Sequence, residues 1–266
     1  MYQFDYVRAT SVQEASTLAQ QGAQFLAGGQ TLLASMKQRL AQPEQLLDLA
    51  SIEGLAGIQE DNQSLVIGAM TRHQEVATHA LVNAKIPALA RLASGIGDKQ
   101  VRAMGTLGGS LANNDPAACY PSAVLGLGAT VNTNQRSIGA DDYFQGLYST
   151  ALEPGELIVS VSFPIVEMAA YAKFRQPASR FALVGVFVTK TRAGVRVAIT
   201  GAGNGVFRHA GLEAALNENF TPDAVVGVPV DDEDLSSDLH ASAAYRAQLI
   251  KVQTQRAVAM ALGKEV

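Results

Sequence analysis

Tryptophan is absent and cysteine nearly so: Cys119 stands alone among 266 residues. One thiol excludes an intrachain disulfide, a Cys-rich zinc site and a cysteine-ligated iron–sulfur cluster within this chain. Long apolar runs are missing too; the longest near the middle, Phe181 to Val188, falls far short of the roughly 20 residues that cross a bilayer. Charge of one sign does not dominate, since 20 Lys and Arg stand against 24 Asp and Glu for a net charge of −4. That balance excludes nucleic acid or an anionic membrane surface as the main partner. The opening MYQFDYVRAT has neither the positive start nor the apolar stretch of a signal peptide, so a cytoplasmic protein is expected. His73, His79, His209 and His240 are scattered without HExxH or other ligand spacing, so each reads as a surface or packing residue and no metal site is expected.

What is present suits a packed globular chain: 48% apolar and 17% charged residues over a length of one large or two to three small domains. Helical spacing runs over Val12–Gln20, a short strand over Gln24–Leu26, and Thr31 is placed to cap a helix through Met36 towards Leu40. Leu46–Leu49 and Ser64–Ile67 read as strands, and Thr71 with Gln74 reads as a capping box for a helix towards Leu81. From Gly95 to Asp115 the period disappears and Gly, Asn and Asp accumulate, which reads as a long functional loop. A helix is expected over Pro116–Leu127, then strands over Ala129–Val131 and Leu157–Phe163. Beyond Pro164, the segments Tyr171–Phe174, Ala182–Thr189 and Val195–Thr200 resemble a small antiparallel sheet, the acidic run Asp231–Asp234 a solvated loop, and Ala241–Leu262 a closing helix.

Two glycine loops carry the chemistry. The first, Ala27, Gly28, Gly29, Gln30 and Thr31, leads from a strand into a helix whose first N–H groups are unpaired, an arrangement that cradles anions. The second, Gly105 to Pro116, brings Thr106, Ser110, Asn113, Asn114 and Asp115 close to Gly108 and Gly109; its backbone donors from Gly108 to Ser110 suit a pyrophosphate and its amides and carboxylate suit sugar hydroxyls. Neither loop fits G-x-G-x-x-G after the first strand, and no Gly-Lys-Ser/Thr follows, so the site is neither a Rossmann nor a P-loop type. No nucleophile elbow or triad spacing is found, so no catalytic side chain is assigned; the chain reads as one that holds a reactive cofactor instead of supplying the chemistry.

The stretches FLAGGQTLLASMKQRL, IGAMTRH, VRAMGTLGGSLANNDPAACYPSAVLGLGATV, LEPGELIVSVSFP and FRQPASRFALVGV, in this order, make the chain resemble the FAD-binding medium subunit of the molybdenum hydroxylases. The likeness is greatest to the carbon monoxide dehydrogenase flavoprotein type, and xanthine dehydrogenases carry the same unit as a domain. The resemblance implies an α+β fold: two FAD-binding subdomains of the vanillyl alcohol oxidase type, over 1–55 and 56–164, plus a C-terminal α/β domain of the carbon monoxide dehydrogenase flavoprotein type over 165–266. It implies that Ala27 to Leu33, including Leu32, and Thr106 to Ser110 hold the pyrophosphate, and that Asn114 and Asp115 meet the ribityl or ribose part. Ile96 and Gly97 would lie beside the adenine, Leu157 and Ile158 would wall that pocket, and Arg175 falls where some relatives place a Lys near the flavin. Ser110, Cys119 and Arg180-Phe181-Ala182 depart from residues common in the family, and Cys119 reads as a small buried filler.

The implied role is electron relay. A large partner would carry the molybdenum cofactor, a small partner two 2Fe-2S clusters, and FAD in this chain would pass electrons to a final acceptor, with a dimer of heterotrimers as the assembly. Two other classes remain open on the residues alone: a self-sufficient flavoprotein oxidase or reductase, and a nucleotide-binding module without redox function.

Overall fold

The computed structural model describes residues 1–264, and the chain forms three successive sheets, each with its own apolar core. In the first, β1 (Asp5–Arg8), β2 (Gln24–Leu26) and β3 (Gln45–Asp48) pair in parallel in the order β1-β3-β2. Two helices, α1 (Val12–Gln20) and α2 (Leu32–Lys37), supply the crossovers that parallel strands require. Helix α1 starts where it does because Ser11 Oγ accepts from Glu14 N (3.2 Å), satisfying one orphan donor of the first turn, while the Glu14 carboxylate accepts from Thr10 N (2.8 Å) and fixes the entering chain.

The second sheet orders β4 (Ile58–Asp61), β5 (Ser64–Gly68), β6 (Thr130–Thr133), β7 (Ser137–Gly139) and β10 (Ile158–Pro164) as β4-β5-β10-β6-β7, antiparallel throughout. Between β5 and β6 lies a run of short helices: α3 (His73–Thr78), α4 (Ala80–Lys85), α5 (Pro87–Ser94), α6 (Lys99–Met104), α7 (Leu107–Asn113) and α8 (Tyr120–Leu127). After β7 come α9 (Ala140–Tyr143) and a two-stranded hairpin, β8 (Phe144–Gly146) with β9 (Ser149–Thr150).

The third sheet is a meander of β11 (Met168–Arg175), β12 (Ala182–Thr191), β13 (Gly194–Thr200) and β14 (Phe207–Arg208), followed by α10 (Ala210–Glu218) and α11 (Ala243–Ala261). The unbroken apolar run in β12 follows from burial of both its faces: Val184, Val186 and Val188 enter the core under α11, while Phe187 joins the core of the middle sheet and packs at Gly126 of α8. Arg246 of α11 is 3% exposed and donates to Leu183 O (2.9 Å), Gly201 O (2.7 Å) and Asp238 (2.8 Å), which locks the helix to the sheet. The mixed helices and antiparallel sheets bear out the α+β class, and the run Asp231–Asp234 is exposed.

Three local expectations are corrected. Thr31 does not cap α2: its backbone is already helical (φ −108°, ψ −55°) and its hydroxyl makes no cap bond. Arg72 takes the N-cap position of α3, because the Thr71 hydroxyl is engaged with Gly57, accepting from its N–H (3.0 Å) and donating to its carbonyl (3.1 Å). The stretch from Gly95 to Asp115 is not a loop but contains α6 and α7, started by Asp98 accepting from Val101 N (2.8 Å) and by Thr106 Oγ1 accepting from Gly109 N (3.2 Å). These helices are too short to show a period.

Candidate functional site

The chain leaving β2 turns at Gly29, whose φ of +69° favours glycine, and enters α2. The amide N–H groups of Gly28, Gly29, Gln30, Thr31 and Leu32 donate to no protein acceptor; the first bond of the turn is Leu33 N to Gly29 O (3.1 Å). Successive free donors of this kind form a backbone concavity able to bind an anion.

The second glycine segment differs. Leu107 N donates to Thr71 O (3.0 Å), Gly108 N to Ala69 O (2.7 Å), Gly109 N to Thr106 Oγ1 and Ser110 N to Thr106 O (3.1 Å). Every donor from Gly108 to Ser110 that the sequence offered to a pyrophosphate is therefore already used within the chain, which corrects that expectation. The segment's glycines serve close approach instead. A Cβ on Gly108 would lie 2.6 Å from Ala69 Cβ, and one on Gly109 would lie 2.9 Å from Thr106 Oγ1 and 3.3 Å from Ala27 Cβ.

The two segments meet, and a cleft of about 760 Å³ opens beside them. It is lined by Ala27, Gly28, Gly29, Gln30, Thr31 and Leu32 of the first segment and by Thr106, Gly108, Gly109, Ser110, Asn113 and Asp115 of the second. Ile96, Gly97, Leu157 and Ile158 also line it, bringing in α5's end and the start of β10. The Glu156 carboxylate, buried just before β10, fixes that start. It accepts from Arg136 Nε (3.1 Å), Thr133 Oγ1 (2.6 Å) and Glu153 N (2.8 Å). Burial pushes its pKa up, but the bonds from Arg136, Thr133 and Glu153 outweigh this and hold it below the ordinary value.

Three expected site residues lie elsewhere. Leu33 does not line the cleft; its side chain fills the space under Gly29. Asn114 is fully buried, with left-handed backbone (φ 43°) at the end of α7, and its Nδ2 donates to Gly146 O (2.9 Å) and Ser149 O (2.7 Å), pinning the β8–β9 hairpin. Arg175 sits outside the cleft: it lines a smaller neighbouring pocket together with Lys173, and of the two only Lys173 also reaches the cleft.

Lys173 is the lysine that reaches the cleft. Its Nζ donates to Gly95 O (2.7 Å) and Arg180 O (3.1 Å) and lies 3.4 Å from Cys119 Sγ. His73 lines the cleft too, 5% exposed and with its ring 5.3 Å from that of Tyr120. Burial, with a smaller contribution from Arg102, brings its pKa down to about 4, so the imidazole is neutral near pH 7. Its Nδ1 has no partner, and a Cβ on Gly105 would stand 2.6 Å from Nε2, so glycine is needed there for the ring to fit. Reading His73 as a packing residue captured its contact with Tyr120 and missed its position; only its place in IGAMTRH pointed to the site. Among the described residues no group of His, Cys, Asp and Glu is arranged to hold a metal, and no helix is long and apolar enough to cross a membrane.

Residues 2–166 match the family described as FAD binding domain in molybdopterin dehydrogenase. The chain belongs to this family. Relatives extend along nearly all of it: the carbon monoxide dehydrogenase medium chain of Hydrogenophaga pseudoflava is 34% identical over 93% of this chain and 94% of its own length. The 6-hydroxypseudooxynicotine dehydrogenase complex subunit alpha of Paenarthrobacter nicotinovorans is 33% identical over 97% of this chain and 94% of its own. Among solved structures, a chain of the Hydrogenophaga pseudoflava carbon monoxide dehydrogenase that lacks the Mo-pyranopterin moiety superposes with a TM-score of 0.89 at 32% identity, covering 98% of both chains. A chain of quinoline 2-oxidoreductase from Pseudomonas putida 86 gives 0.88 at 28% identity, again over 98% of both. The C-terminal sheet and α11 of this FAD-binding chain thus share the arrangement of those oxidoreductase chains, beyond the 2–166 segment.

Proposed function

We propose that the chain is the FAD-carrying medium subunit of a heterotrimeric molybdenum hydroxylase of the cytoplasm, passing electrons from the 2Fe-2S clusters of a small partner to a terminal acceptor, while a large partner with the molybdenum cofactor oxidises the substrate. In this reading the FAD diphosphate lies on the free amides of Gly28 to Leu32. That row of unpaired donors in the cleft is the single observation that carries the assignment, since an oxyanion bridge is the group that satisfies several adjacent N–H donors together. The Gly105–Ser110 segment acts as the opposing wall; Thr106 and Ser110 offer hydroxyls there, and Asn113 and Asp115 offer an amide and a carboxylate to sugar hydroxyls. Ile96, Gly97, Leu157 and Ile158 provide apolar surface for a ring.

Bound FAD supplies the electron-carrying chemistry. The protein's own groups bind, orient and set polarity: neutral His73 and cationic Lys173 border the cleft, and no side chain is required to take a proton. The subunit names of the relatives support a multi-subunit assembly, and pairing of heterotrimers belongs to the same reading.

The test is co-purification of the tagged chain with its partners. Stoichiometric FAD in this chain, molybdenum and iron in the others, and substrate-driven bleaching of the flavin only in the assembled complex are expected. A purified chain with no releasable FAD would contradict the proposal, and flavin turnover without partners would favour a self-sufficient oxidase.

A further inference from the structure

A second, smaller pocket of about 390 Å³ lies between α5, β11 and α11. Four cations line it: Arg91 from α5, Lys173 and Arg175 from β11, and Arg256 from α11. No carboxylate is among its lining residues, although the chain as a whole carries a net charge of −4. Among the described residues Arg136 pairs with Glu156, Arg196 with Asp141 and Arg208 with Glu213, whereas Arg91, Arg175 and Arg256 form no ion pair. The three arginines are exposed at the pocket and come from three separate elements, with no counter-charge among the lining residues. The wall adds a neutral donor. Gln253, 1% exposed, lines the pocket and its Nε2 has no hydrogen-bond partner.

We propose that this pocket binds the phosphoryl group of a small anionic ligand, at a site separate from the FAD cleft and sharing with it only the wall at Lys173. A phosphoryl dianion matches the surplus of positive charge, its oxygens suit the paired N–H geometry of guanidinium, and further oxygens remain for Lys173 or the Gln253 amide. Lys173 Nζ, already bonded to Gly95 O, leaves the three guanidinium groups as the main recognition elements. Free phosphate and a phosphorylated small molecule present the same group, and the experiment separates them.

FAD-loaded full-length protein is titrated with inorganic phosphate and with ADP at constant ionic strength, alone and in complex with its partners. Saturable binding is expected, weakened about tenfold or more in Arg91→Gln/Arg256→Gln, as loss of charge-assisted bonds implies, with FAD content unchanged. Arg256→Lys, which keeps the charge and loses the fork, should give an intermediate loss. Tighter binding of ADP identifies a phosphorylated ligand, and preference for phosphate identifies the free ion. No saturable binding, unaltered affinity in both variants, or phosphate binding lost when the partners assemble would overturn the proposal, the last by showing that the pocket accepts a partner's acidic surface. FAD content, read in the same samples, reports on the FAD cleft independently.

Discussion

Gly28 and Met104 touch across the junction of two glycine segments: a Cβ on Gly28 would collide with the Met104 carbonyl oxygen and stand 2.7 Å from Gly105 Cα. The contact is backbone against backbone, so neither side can rotate away. Gly28→Ala is therefore expected to spread the segments, at a cost of about 1 to 3 kcal/mol as for other overpacked sites, and to lower FAD retention. Thermal unfolding and flavin content of the purified protein check both; unchanged values would show that the segments are not held in contact. Gly109→Val should act similarly, since its side chain would enter the gap against Ala27 and Thr106.

Asn114 makes its contribution from outside the cleft. Asn114→Ala removes the two side-chain bonds donated to Gly146 O and Ser149 O, with an expected loss of about 1 to 3 kcal/mol. Gly substitution should be milder on the backbone, because φ is 43°. The denaturation midpoint should fall while FAD affinity, measured well below that midpoint, stays close to wild type.

His73 links stability to acid. Its folded pKa of about 4 lies below the unfolded value of 6.5, so the unfolded chain takes the proton first. The stability it provides is complete above about pH 6.5 and is lost as pH falls towards 4, up to roughly 3 kcal/mol. In His73→Gln this part of the acid dependence should vanish. Urea midpoints at pH 7 and pH 4.5 for both proteins measure it, and equal slopes would contradict the assignment.

Lys173 joins three segments, through Gly95 O, Arg180 O and Cys119 Sγ. Lys173→Met should free the Gly95 and Arg180 carbonyls and weaken FAD binding by about ten- to a hundredfold, the range for hydrogen bonds to a charged group. Fluorescence titration of the apoprotein with FAD reads the change; an unaltered dissociation constant would remove Lys173 from the site.

Local signals carried much of the fold. Helix α1 and strand β2 fall where residue spacing puts them, and the segment Ala182–Thr189, read as a strand of a small antiparallel sheet, lies within β12. Non-local bonds defeated the rest. Thr71 fits a capping box, but Gly57, fourteen residues away, occupies its hydroxyl. The amides of Gly108 and Leu107 look free until Ala69 and Thr71 are folded against them. Arg175 and Lys173 line one small pocket together and only Lys173 also reaches the cleft, a difference that no residue pattern marks. The pairing of the two glycine segments was legible, whereas the unequal division of their donors was not.

That division is what hydrogen–deuterium exchange with and without FAD tests most directly. FAD is expected to slow exchange at Gly28 to Leu32, whose amides have no protein acceptor, and to leave Gly108 to Ser110, already bonded within the chain, nearly unchanged. Protection that appears at Gly108 to Ser110 and not at Gly28 to Leu32 would contradict the account.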